Sequence, residues 1–256
     1  MFFKGYHSVT LYRATVLLTI CSLLWLPYVQ APWFYSILAL LATFKIVKIG
    51  QHIGQHRYWA HKSFKTDSVR EWILGLLGTL SLTGGPVVYA AIHRLHHRHS
   101  DTDQDSHPLH KSFWKAFFVH IDGDELKMSP FIVKDLLKNK PAMFFHNYYW
   151  HTIFSYIILL AIIDPVLILY CWCIPVTYSK FVSGIGTTFV HMYGYQPYET
   201  NDNSKNSIIN HILTFGEGMH NNHHKSPGAY DSNLRGKWYE YDIMAPIVKR
   251  FFDVRL

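Results

Sequence analysis

The sequence predicts an all-α integral membrane protein, with four transmembrane helices in two hairpins and the polar remainder folded as a cytoplasmic helical cap. Three observations carry that expectation. Charged residues make up only 16% of the 256 positions, against roughly a quarter in a soluble domain. The apolar residues are gathered into long blocks, and Lys and Arg lie at only one set of block ends. An aromatic content of 16% excludes a disordered chain. The formal charge of +7 suits an anionic membrane surface or head group, and charge alone gives no ground for nucleic-acid binding. Cys21, Cys171 and Cys173 lie in apolar stretches without CxxC spacing, so neither a disulfide framework nor a thiolate metal site is implied.

The first block, residues 9–26, reaches ~26 Å as a helix, close to the ~30 Å hydrocarbon core. An uncharged turn at 27–32 leads into the second, 33–50. A third block, 148–163, breaks at Asp164-Pro165 and resumes over 165–190. The two tight turns contain no Lys or Arg, whereas Lys4, Arg13, Lys45, Lys48, Arg57, Lys62, Lys65 and Arg70 lie toward the opposite ends. The positive-inside bias therefore puts the termini and the polar segments, 93–142 and 191–256, on the cytoplasmic side. Trp25, Tyr28, Trp33 and Tyr35 fit an aromatic belt at the far interface, and Tyr148, Tyr149 and Trp150 one at the near interface. The whole of 1–256 reads as one membrane domain.

Residues 72–92 form a fifth apolar stretch. It separates two histidine clusters, so a single crossing would put them on opposite sides of the bilayer. If the clusters share a site, the stretch lies along the interface or dips and returns, and Gly84-Gly85-Pro86 breaks it where the return is needed.

Those clusters, His93-Arg94-Leu95-His96-His97 and His220-Asn221-Asn222-His223-His224, share the pattern HxxHH. With histidine at 18 of 256 positions, two chance copies are expected on the order of less than one time in a hundred. On a helix the three positions share one face, so each motif is expected to offer three imidazoles to one point. Imidazole suits iron, copper or zinc, and the ligands do not choose among them. His56 and His61 have HxxxxH spacing, shared by His146 and His151; on an α-helix such a pair diverges by ~140°, which suits two metals unless the helix is locally rewound. Glu217, Asp101, Asp103, Asp105, Asn221 and Asn222 are candidates for orienting imidazoles through their outer N–H. Arg94, Arg98, Lys62 and Lys65 are available to an anionic head group, or serve topology alone.

HRYWAH at 56–61, HRLHH at 93–97 and EGMHNNHH at 217–224 resemble the membrane fatty acyl desaturases of the acyl-CoA and acyl-lipid Δ9 type. The SDTDQD run after the second box, residues 117–120, His191-Met192-Tyr193-Gly194 and Trp238-Tyr239-Glu240-Tyr241-Asp242 are similar as well, so that the resemblance spans about 50–242. It implies two irons held by nine histidines: His56, His61, His93, His96, His97, His191, His220, His223 and His224. It implies an O2-dependent reaction that places a cis double bond in a long-chain acyl-CoA or acyl-lipid within the membrane, with no catalytic side chain beyond the ligands. No flavin, nucleotide or haem signature is visible, so the two electrons would come from a separate donor such as cytochrome b5 or a ferredoxin. Thr187 stands where acyl-CoA members often have Asn, and Ala91-Ile92 where they have an Arg-Asp pair, which leaves the carrier open. A membrane diiron hydroxylase or ketolase would use the same ligands, whereas a metal transporter would be expected to place them inside the spans.

Overall fold

A computed structural model describes residues 8–25, 31–119 and 129–253; the regular structure there is all helix, with only isolated bridges such as Tyr195 to Asn206. Lys4, Tyr28, most of the turn at 27–32 and His120 fall outside the described residues. Helix α1 is Ser8–Trp25. Helix α2, Phe34–Ala60, and helix α8, Val166–Met192, are long and apolar enough to cross a membrane. Between them come α3 (Ser68–Leu80), α4 (Pro86–His99), α5 (Phe113–Val119), α6 (Lys140–Asn147) and α7 (Tyr149–Ile163), and after them α9 (Ile208–Leu213) and α10 (His220–Lys225). Arg13–Trp25 within α1 and all of α7 are apolar but shorter than a full span.

The second expected span, 33–50, does not stop at 50. Its helix continues to Ala60, and the part from Phe44 carries π-type i→i+5 winding. The chain break after α7 has a local cause: the Asp164 carboxylate accepts the Val166 N–H at 2.9 Å and the Tyr35 hydroxyl at 2.6 Å, tying the turn to α2. Leu24, Leu40 and Ile162 are each at least 70% exposed, along a belt of outward apolar side chains on α1, α2 and α7. So extended an apolar surface does not suit water and fits membrane association.

The 72–92 stretch is two helices rather than one. Asp67 caps α3 by accepting the Arg70 N–H at 3.0 Å. The chain then turns through Leu82 and Gly84, both at positive φ, and Pro86 opens α4. Helix α3 lies directly against α2. A Cβ on Gly50 would come within 2.3 Å of the Leu77 backbone, and one on Gly78 within 2.8 Å of Gln55. Small residues at these positions let two backbones approach closely, the usual means of joining helices in lipid. Packing α3 and α4 on the far end of α2 brings the first and second histidine boxes to the same end of the bundle.

Candidate metal centre

Nine histidines converge there in two groups. His56, His61, His93, His97 and His223 form one, and His96, His191, His220 and His224 the other; within each, the ligand atoms lie within 4.8 Å of one another. His52, His146 and His151 belong to neither.

Two expectations need correction. His56 and His61 do not serve separate points: their ring centroids are 5.0 Å apart in the same group. The i→i+5 winding is the reason, since it turns residues five apart much nearer to one face than α winding does, and His61 closes it with its N–H on the His56 carbonyl. Nor does either HxxHH motif aim at one point. His93 and His97 enter the five-histidine group while His96 enters the other, and His220 and His224 enter the four-histidine group while His223 crosses to the first. Successive helical positions diverge by ~100°, so adjacent histidines at i+3 and i+4 can address two neighbouring centres.

In the five-histidine group the Nε2 atoms form a chain of contacts: His61 to His93 at 2.7 Å, His93 to His97 at 3.1 Å, His97 to His223 at 2.9 Å and His223 to His56 at 3.0 Å. A neutral Nε2 either donates or accepts once, so these contacts cannot all be hydrogen bonds. In the four-histidine group His191 and His220 bring Nε2 atoms to 3.0 Å, while the buried Nε2 atoms of His96 and His224 have no hydrogen-bond partner among the described residues. Nitrogens ~2.1 Å from a common metal and at right angles to each other lie ~3.0 Å apart. The residues therefore fit a first-row metal in each group. Burial first, and then the surrounding imidazoles, hold His93, His97, His220, His223 and His224 well below the usual imidazole range, so their lone pairs are free to ligate.

Carboxylates stand behind the rings. The Nδ1 atoms of His96, His191 and His224 lie 2.9, 3.0 and 2.7 Å from Asp105, Asp101 and Asp202, which turns Nε2 inward. Burial would raise the Asp105 and Asp101 pKa values, but His96 and His191 respectively outweigh it and both carboxyls are lowered. Glu217 reaches His56 Nδ1 at 3.3 Å and Arg57 at 3.2 Å. Burial opposes its ionisation too, and His52, Arg57 and His56 overcome it. Asp202 escaped sequence reading; its only signal is its place in a polar loop far from any box. Asp103 is solvent-exposed and touches no ligand. Asn221 and Asn222 instead brace loops, at Tyr198 and at Asn206, Ser232 and Glu240.

Arg94 and Lys62 do not wait for a head group. Arg94 makes a paired contact with Asp135, at 2.7 and 3.0 Å, and reaches the Trp59 and Ala60 carbonyls; Lys62 joins Asp135 at 2.8 Å. Despite its partial burial, Asp135 is drawn down to about 2 by these cations. The pair ties box one to box two. Thr187 donates to the Ala116 and Gly184 carbonyls, 3.0 and 3.2 Å away.

A cavity of about 110 Å³ opens beside the histidines. It touches His56 and His93 of one group and His96 and His220 of the other, and continues past Ile92, Val182 and Gly186 into the bundle.

The fatty acid desaturase family model matches residues 25–254. The chain belongs to this family. It is accordingly an enzyme, a fatty acyl desaturase. The desaturase is 31% identical over 223 residues to the sn-1 stearoyl-lipid 9-desaturase of Anabaena variabilis, covering 82% of this chain and 78% of that protein. It is 33% identical over 227 residues to the sn-2 palmitoyl-lipid 9-desaturase of Nostoc sp. (strain 36), with 83% and 78% covered. Similarity to the stearoyl-CoA desaturase of Sus scrofa is lower, 27% over 219 residues, covering 78% of this chain and 59% of that enzyme.

Proposed function

We propose that this desaturase introduces a cis Δ9 double bond into a long-chain acyl group carried by a membrane lipid, using O2 and two irons held by the nine histidines. The observation that carries the reading is the convergence of both histidine groups on one cavity. The lipid carrier is favoured by Ala91-Ile92, two buried apolar residues where an Arg-Asp pair would meet CoA.

A pair of bound irons supplies, with O2, the oxidant strong enough to take hydrogen from an unactivated CH2–CH2 unit. The chain does the rest. Asp101, Asp105 and Asp202 hold three imidazoles with Nε2 inward, and Glu217 does so for His56. Ile92 and Val182 shield the reacting methylenes from water. Gly186 leaves room for them, because a Cβ there would meet nothing within 4 Å.

In the membrane, α1, α2, α7 and α8 make four crossings as two hairpins of one domain, with α3 and α4 at the interface and the histidines on the cytoplasmic face. Electrons arrive from a separate carrier, cytochrome b5 or a ferredoxin. Expression in a host lacking its own desaturase, followed by fatty-acid and lipid-class profiling, tests the proposal. A cis-9 monoene in glycerolipid is expected, together with about two irons per purified chain. An oxygenated product without an alkene would instead assign a hydroxylase.

A further inference from the structure

Helix α9, Ile208–Leu213, and the turn after it are built inside out. Asn210, His211 and Thr214 are buried, while Ile208, Ile209, Ile212, Leu213 and Phe215 are exposed. Ile209, Ile212 and Phe215 reach 72, 67 and 59% exposure. A surface helix in water carries the opposite pattern, and so dense an apolar face on one short segment calls for a cover. The backbone points to what that cover is. The last carbonyls of a helix have no partner within it and are ordinarily left to caps or to water. Here every carbonyl from Asn210 to Thr214 has a protein donor. The N–H groups of Thr214, Gly216 and Phe215 donate to Asn210, His211 and Ile212, at 2.9, 2.9 and 3.2 Å. The Tyr178 hydroxyl donates to Leu213 at 3.0 Å, and the Lys48 Nζ to Thr214. A segment immersed in hydrocarbon has to satisfy its backbone in this way, because no water is there to do it. The last two donors also set the depth. Both belong to the helices long and apolar enough to cross a membrane. Tyr178 precedes His191 on α8 by ~20 Å of helix. Tyrosine and lysine side chains reach only ~6 Å toward the histidine end, so the turn at 213–214 lies beside the spans and not above them.

We propose that α9 and its turn dip into the leaflet on the histidine side and pack their outward face against the acyl chains of bilayer lipids. The bilayer thereby holds the segment that leads, through Gly216-Glu217-Gly218, into the third histidine box. The inference rests on the membrane reading above and adds a re-entrant element to its four crossings. Photolabelling of the wild-type full chain in nanodiscs tests it without turnover and without any variant having to fold. One sample carries phosphatidylcholine with a diazirine midway along an acyl chain; a second receives a water-soluble diazirine. Adducts are mapped by mass spectrometry. From the lipid reagent, residues 208–215 should be labelled as well as the belt around Leu24, Leu40 and Ile162. They should also carry at least about tenfold more adduct than the loop at solvent-exposed Asp103, because acyl carbons stay within the hydrocarbon core. The water-soluble reagent should give the reverse order. A labelled belt with unlabelled 208–215 overturns the insertion and leaves the crossings standing. In that event, labelling of 208–215 from water would show an open face, and protection from both reagents a face covered by a second copy of the chain. A belt and α9 both unlabelled from lipid would overturn the membrane reading together with the insertion.

Discussion

The two histidine groups share helices α4 and α10 but are supported differently. In the four-histidine group, three rings have a carboxylate on Nδ1, at 2.7 to 3.0 Å. Each carboxylate is itself fixed: Asp105 accepts the Asp101 and His107 N–H groups, Asp101 the Asn203 N–H, and Asp202 the Ser204 N–H. In the five-histidine group, the one carboxylate contact to a ring among the described residues is Glu217 at 3.3 Å from His56, and Glu217 is shared with Arg57 and His52. One group thus gains its order from anions that set tautomer and basicity. The other gains it from number, π-type winding and the Arg94–Asp135 brace. A metal in the first would see more electron-rich imidazoles than a metal in the second.

The largest effect is expected from the ligands themselves. His96→Ala and His61→Ala should each abolish alkene formation while the chain still inserts, and each should lower the iron content; full activity in either would remove that residue from the centre. Next come the carboxylates. Asp105→Asn and Asp202→Asn should weaken metal binding about 10- to 100-fold. Glu217→Gln should weaken it less but lower the unfolding midpoint more, because it leaves Arg57 buried with one acidic partner fewer. Metal titration and thermal unfolding of the same variants would show whether that order holds, and the reverse order would break the contrast between the groups.

Acid should act on both groups. His93, His97, His220, His223 and His224 are held below their ordinary value in the folded chain. The unfolded chain therefore binds more protons, and stability of the metal-free protein should fall as pH drops from about 6.5. Asp135, lowered to about 2, contributes stability that is complete above its ordinary value of 3.8 and lost only as pH falls toward 2. Unfolding midpoints against pH, for wild type and Asp135→Asn, would separate the two limbs. The smallest effect belongs to Asp103→Ala, which should leave activity and stability unchanged because its carboxylate faces solvent.

Much of this was legible in the residues, because a metal centre repeats one rare side chain at fixed spacing. The HxxHH motifs and the Gly84-Gly85-Pro86 break announced themselves in that way, as did Asp101 and Asp105 beside a box. The division of labour within each motif was not legible, since helical spacing gives direction and not destination. The winding of α2 was hidden as well: HxxxxH reads as divergent until the helix is known to turn every i→i+5. Asp202 lay out of reach because only the folded loop carries it to His224.

The crossing of each motif between groups also constrains how this protein can change. Helices α4 and α10 each serve both centres, so the spacing between the centres is set by a single helical turn on either side. Tilting or shortening one of these helices would displace nitrogens from both centres together. A descendant that kept one centre and discarded the other would have to rebuild both helices, so the two are inherited as a yoked pair.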